Sequence, residues 1–159
     1  MSAIPERSAV PESDKWDLSS LYTDDQPWEN DLQRLKELPK SIGEYQGKIG
    51  NDKARLLEFL RLYEEAGQLE ERLAYYAMLR QSENIGDSAR QDRYARFINA
   101  AVAVDAASSF FSPEVQQIPD ETINSWLSDD AFGRYRVMFQ KILRNKPHTR
   151  PPSEEHLLS

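Results

Sequence analysis

His148 and His156 are the only two imidazoles in the chain, so metal or proton-transfer chemistry would have to start from them. They stand eight residues apart across Pro151 and Pro152, so they cannot share one helical face as the paired histidines of an H-E-x-x-H zinc helix do. The residues three before them are Asn145 and Ser153, where a di-iron carboxylate bundle would need glutamates. With Glu154 and Glu155 the two histidines could gather a stray cation, but a proline-bounded terminal loop offers no rigid geometry, and metal binding is not assigned to them. The chain has no cysteine, which excludes thiolate catalysis and disulfides. It has no G-x-S-x-G elbow, and none of its six glycines is arranged to cradle a phosphate. Asp105 is the single charge between Ala100 and Phe111; an exposed edge position, or pairing with Arg80 or Arg96, accounts for it more simply than catalysis. The residues therefore assign no catalytic, cofactor-binding or metal-ligating position, and no cofactor is expected in this chain.

The element that would position any site runs from Asp52 to Phe111 and reads as two long helices joined at Asn84-Ile85-Gly86-Asp87. In the first arm Leu56, Phe59, Tyr63, Ala66, Leu69, Leu73 and Tyr76 recur at steps of three and four, the spacing of one helical face. Glu58, Arg61, Glu64, Glu65, Glu71 and Arg72 form the opposite, wet face. Tyr94, Phe97, Ala101, Val104, Ser108 and Phe111 repeat the pattern in the second arm, and Ala100, Ala103, Ala106, Ala107 and Ser109 leave room for another helix to approach closely. The arms are expected to pack as an antiparallel hairpin. Gly67 stands inside the first arm, where glycine costs up to about 1 kcal/mol relative to alanine; a close crossing or a bend would explain it.

Shorter helices are expected on either side. Residues 1–14, rich in Pro, Ser and Glu and without periodicity, read as a flexible arm. Trp16 and Tyr22 are expected to anchor their segment on the helices, with a ligand cleft as the alternative use of two aromatics. Asp24, Asp25 and Pro27 mark a helix start, followed by a stripe of Trp28, Leu32, Leu35, Leu38, Ile42, Tyr45 and Ile49 in which Pro39 predicts a kink or short break. Gly47 and Gly50 end that region before Asn51 or Asp52 caps the hairpin. Pro113 is expected to end the second arm, with a connector from Ser112 to Ile118. A short helix then starts at Pro119-Asp120-Glu121, and another carries Phe132, Tyr135, Phe139 and Ile142 as far as Asn145. Arg134, Arg136, Lys141, Arg144 and Lys146 form the one locally basic stretch, expected to complement neighbouring acids, with anion binding as the lesser alternative. At the end Pro151-Pro152-Ser153-Glu154-Glu155 reads as a capped helix start with one turn after it, so residues 151–159 are expected to begin a helix that continues elsewhere.

The fold class is therefore all-α, a helical lobe built around a long antiparallel hairpin, with a main domain over residues 15–150. A net charge of −7 argues against a nucleic-acid partner, which needs a clustered positive surface. The absence of a long apolar run argues against a membrane, and the expected location is the cytoplasm.

Several segments, in order, resemble the N-terminal region of oligoendopeptidase F, a bacterial zinc metallopeptidase family related to thimet oligopeptidase. They are Trp16-Asp17-Leu18 with Leu21-Tyr22, Trp28, Tyr45 with Gly47-Lys48, Glu71-Arg72-Leu73, Tyr76-Ala77, Ser109-Phe110-Phe111 with Pro113-Glu114, Ile118-Pro119-Asp120-Glu121 and Tyr135-Arg136. The last is Lys146-Pro147-His148-Thr149 with Ser153-Glu154-Glu155 and Leu157-Leu158. Arg150-Pro151-Pro152 departs from the family, which more often continues with leucine and serine there. The resemblance implies a cytoplasmic helical enzyme that hydrolyses short peptides in a deep channel, with these helices as one wall. It also implies zinc in the full-length enzyme, held by the histidines of H-E-x-x-H and a downstream glutamate. None of those residues has a counterpart here, so the chain is expected to be inactive alone and to meet short peptides through the absent catalytic domain. An orphaned apolar face, and self-association through it, would follow. The alternative is a stand-alone helical module that binds peptides or proteins.

Overall fold

The computed structural model describes residues 9–148, without the side chain of His148. Residues 1–8 of the arm, the helix start over 151–159, and the side chains of His148, Glu154, Glu155 and His156 lie outside the described residues. Those described form helices and turns with no strand among them. The helices are α1 (Asp25–Gly43), α2 (Lys53–Glu83), α3 (Ser88–Ser108), α4 (Phe111–Gln117), α5 (Asp120–Leu127) and α6 (Arg136–Asn145). Short 3₁₀ segments occupy Glu12–Asp14, Asp130–Tyr135 and Lys146–His148.

Aspartates start the long helices, because a carboxylate can accept from the first unpaired backbone N–H groups. Asp24 accepts from the Gln26 amide at 2.9 Å, Asp52 from Arg55 at 2.9 Å, and Asp87 from Ala89 at 3.0 Å and Arg90 at 3.3 Å. The last of these closes the expected turn between α2 and α3. Gly47 adopts φ +74°, a left-handed conformation that costs glycine little and other residues more, and its N–H donates to the Glu114 carboxylate at 2.5 Å.

Helices α1, α2 and α3 pack on one another as a three-helix sheaf. Trp28, Leu32, Leu35 and Ile42 from α1 meet Leu56, Phe59, Leu60, Leu73 and Ala77 from α2, with Phe97, Ala100 and Val104 from α3. The small side chain expected to admit a neighbour does so at Ala100, which is buried, whereas Ala103 and Ala106 face solvent. Phe59 is the hub joining this sheaf to the C-terminal helices: its ring lies 5.1 Å from Phe111, 5.4 Å from Phe110 and 5.7 Å from both Tyr45 and Tyr63. Phe139 continues the chain of rings, 6.2 Å from Phe111 and 6.3 Å from Phe132.

Four sequence expectations require correction. Of the kink or short break expected at Pro39, the break does not occur, since α1 runs from Asp25 to Gly43 through it. The fully buried Leu35 and Ile42 hold that stretch against the core, and this outweighs one missing backbone bond. The second arm ends at Ser108, not at Pro113, and most of the expected connector is helix α4, where Pro113 occupies the third position. An N–H there has no intrahelical acceptor, so proline removes nothing. Trp16 is 57% exposed and does not anchor its segment, whereas Tyr22 does: it is buried, edge-on to Tyr76 at 5.3 Å, and donates to Asp31 at 2.9 Å. Gly67 is exposed, and a Cβ built on it meets nothing within 4 Å, so of the close crossing or bend expected there, no close crossing within the described residues occurs.

Candidate functional site

Glu64 and Gly67 on α2 line two separate open hollows. The first, of about 500 Å³, lies between α2 and the start of α6, where Leu60, Tyr63, Tyr135 and Met138 make it mostly apolar. Its rim is polar and fixed. Arg134 Nη1 donates to both oxygens of Glu64 at 2.7 and 2.6 Å, and the Tyr135 hydroxyl donates to Glu64 at 2.8 Å. These bonds, Tyr135 first and Arg134 next, hold the Glu64 carboxyl below its ordinary value. Tyr63 stacks on Phe59 yet is 37% exposed, so it belongs to the core and to this hollow at once.

The second, shallower hollow is lined by Glu70, Ala74 and Phe97. One carboxylate oxygen of Glu70 is buried and makes no hydrogen bond. Burial, and secondarily the charge of Asp105 on α3, pushes this carboxyl up to about 7. The Tyr63 hydroxyl is likewise raised, by burial first and then by Asp105 and Glu70. Asp105 is exposed, as expected of an edge residue. Its suggested partners are committed elsewhere: Arg80 pairs with Glu83 at 3.1 Å, and Arg96 pairs with Glu29 and with Asp92. Glu70 thus lines the second hollow with its acidity weakened by burial and by the charge of Asp105.

The other polar arrangements serve the fold. The guanidinium groups of Arg93 and Arg96 lie 5.6 and 5.5 Å from the ring of the buried Trp28, and they pair with Asp25 and Glu29, tying α3 to α1. Asp25 also accepts from the Tyr76 hydroxyl at 2.8 Å. The basic stretch complements acids as expected at Arg134 with Glu64, at Arg136 with Asp130 at 3.9 Å and at Lys146 with Asp120 at 2.5 Å. A further, polar hollow of about 600 Å³ lies against Trp16, Tyr22, Tyr76 and Arg80.

Among the described residues no group of three or more His, Cys, Asp or Glu side chains could hold a metal ion, so they do not fit a zinc centre. No described helix is long and apolar enough to cross a membrane.

Comparison with known proteins gives this surface a context. The family model described as oligopeptidase F matches residues 114–159. An oligoendopeptidase F homologue of Borreliella burgdorferi is 27% identical over 153 residues, covering 96% of this chain and 26% of its own. Oligopeptidase PepF of Bacillus subtilis is 26% identical over 157 residues, covering 98% of this chain and 23% of its own. The crystal structure of oligoendopeptidase-F from Enterococcus faecium superposes with a TM-score of 0.73 at 25% identity, over 85% of this chain and 27% of that one. The chain resembles the N-terminal region of oligopeptidase F. It spans about a quarter of the length of the curated relatives it matches. The oligopeptidase F likeness therefore covers the sheaf and the C-terminal helices alike, including the walls of both hollows on α2.

Sequence reasoning singled out Gly67 and Tyr63 but not Glu70. Glu70 sits among Glu64, Glu65 and Glu71 on the same helix, and nothing in its spacing separates it from its solvated neighbours.

Proposed function

We propose that this chain is the N-terminal, substrate-channel lobe of a cytoplasmic zinc metalloendopeptidase that hydrolyses short peptides. The observation that carries this reading is the likeness to oligopeptidase F along nearly all of this chain and only a quarter of each relative. In this reading the zinc ligands and the water-activating glutamate belong to the part of the relatives that this chain does not span, and its own residues perform no bond-breaking step. They form a wall: a rigid helical face that admits extended, flexible peptides and turns away folded ones. The chain alone is inactive, and its apolar outer face promotes self-association.

The exposed Tyr63, Ile98 and Val102, at 37%, 39% and 60%, support an unfinished face on α2 and α3. The open apolar hollow at Tyr63 and Met138 favours the second reading, a self-contained module that binds peptides or proteins. An apolar dye and sedimentation over a range of concentrations separate the two. The lobe reading expects strong dye binding and association with rising concentration. A monomer with a sharp thermal transition and no dye binding contradicts it and favours the module.

A further inference from the structure

Trp16 is 57% exposed, yet it does not hang from a loose end. On one side of it the 3₁₀ turn Glu12–Asp14 is closed by the amides of Asp14 and Lys15, which donate to Pro11 and Glu12 at 3.0 and 3.1 Å. On the other side the amides of Leu21 and Tyr22 donate to the Leu18 carbonyl at 3.0 and 3.1 Å. Arg72 on α2 fastens that turn: its Nε donates to the Leu21 carbonyl at 2.9 Å, and its guanidinium lies 4.5 Å from the Tyr22 ring. The indole is therefore held between two closed turns as a wall of the polar hollow of about 600 Å³ that Tyr22 and Tyr76 also line. Unlike the N–H of Trp28, its N–H meets no acceptor among the described residues. Trp16 thus offers a partner both an apolar ring and a donor.

Charge selects the occupant. Glu12, Asp17, Asp24 and Asp25 line the same hollow, with Lys15 and Arg80 as its cations. Lys15 pairs with Glu12 at 2.8 Å, Arg80 with Glu83 at 3.1 Å and Asp25 with Arg93, while Asp24 accepts from the Gln26 amide to cap α1. Asp17 accepts from Ser19 and pairs with no cation among the described residues. An unpaired carboxylate sharing a hollow with an exposed indole suits an arginine or lysine, whose charge meets the carboxylate while it lies against the ring. A second copy of this chain, with its net charge of −7, is the poorer match. About three quarters of each relative lies outside the likeness, ample length to supply a basic segment. We propose that the Trp16 hollow seats a segment from the part of the full-length enzyme that this chain does not span, with an arginine or lysine of that segment lying against the indole and pairing with Asp17. This rests on the channel-lobe reading and names the surface by which the lobe is held to the rest of the enzyme.

The test compares Trp16 in the isolated chain and in a fusion in which residues 1–159 replace the matching quarter of Bacillus subtilis oligopeptidase PepF. In each, the emission of the native sequence minus that of Trp16→Phe isolates this indole, since Trp28 and Trp126 cancel, and acrylamide quenching measures its access to solvent. The indole is expected to be freely quenched in the isolated chain and severalfold less quenched in the fusion. Trp16→Ala and Asp17→Lys are expected to leave the melting temperature of the isolated chain nearly unchanged, because both side chains are exposed in it, and to lower that of the fusion. If the fusion does not fold, the chain and the rest of PepF are produced together as two polypeptides, and Trp16→Ala is expected to reduce their co-purification; equal recovery would overturn the proposal. Equal quenching in both settings would also overturn it, and where that fusion still cleaves peptide the lobe reading stands. So would protection already present in the isolated chain, which would make residues 1–8 the occupant, or a second copy if it rises with concentration. A folded fusion that shields Trp16 but cleaves nothing would uphold the contact and contradict the lobe reading.

Discussion

The indole Nε1 of Trp28 donates to the backbone carbonyl of Leu73 at 3.1 Å, and both side chains are fully buried. This bond joins α1 to α2 across residues 45 apart in sequence. An unpaired indole N–H at this depth would be costly, so it fixes the register in which the two helices meet. Replacing Trp28 with Phe is expected to lower stability by about 1–3 kcal/mol through the lost bond and the space left behind. Urea unfolding followed by circular dichroism checks this, with a lower midpoint and an unchanged slope as the expected signature.

Phe59 should be the most sensitive apolar position, since it touches the rings of Tyr45, Tyr63, Phe110 and Phe111 and is wholly buried. Phe59→Ala is expected to cost about 3–5 kcal/mol. It should also loosen α4 and α6 from the sheaf, which amide exchange over residues 111–145 would register. Unchanged protection there would show that the C-terminal helices do not depend on this hub.

Gly67→Ala should stabilise the isolated chain by up to about 1 kcal/mol, because the new methyl group meets nothing and the helix gains propensity. A higher melting temperature is the expected result. A lower one would mean that the glycine is required by the chain's own packing.

The fold was legible wherever one periodic face met one core. Of the predicted stripe, Leu56, Phe59, Ala66, Leu69, Leu73 and Tyr76 are buried as their spacing requires while Tyr63 is left 37% exposed, and the aspartates at 52 and 87 cap the helices they precede. Proline misled twice, for one reason: its local penalty depends on where it falls in a helix and on what packs around it. Pro39 is held by buried neighbours, and Pro113 sits where no N–H is needed. Trp16 misled because a large aromatic side chain signals burial only on average. The hollows on α2 were half legible, since a glycine out of place can be seen in a sequence, whereas the isolation of Glu70 depends on which acids the arginines choose.

Glu70 also predicts a pH dependence. Its carboxyl rises from 4.5 to about 7 on folding, so the folded chain holds this proton more tightly than the unfolded chain does. Stability contributed by this group is therefore greatest at low pH and is lost as pH rises from about 4.5 to about 7. Solvent reaches much of the side chain, so the effect is modest. Thermal unfolding of the native chain minus that of Glu70→Gln, taken at several pH values, isolates it. The difference should move against the native chain as pH rises through this range, and a flat difference would contradict the burial of Glu70.

The central claim, that these helices are the channel lobe of an oligopeptidase F-type enzyme, is tested most directly by replacing the matching quarter of Bacillus subtilis oligopeptidase PepF with residues 1–159. Hydrolysis of a quenched fluorescent peptide of about ten residues is then followed in the presence of zinc. The account predicts that the fusion cleaves the peptide while the isolated chain does not, and that a folded protein containing the same peptide sequence is spared. A soluble, folded fusion that cleaves nothing would contradict it.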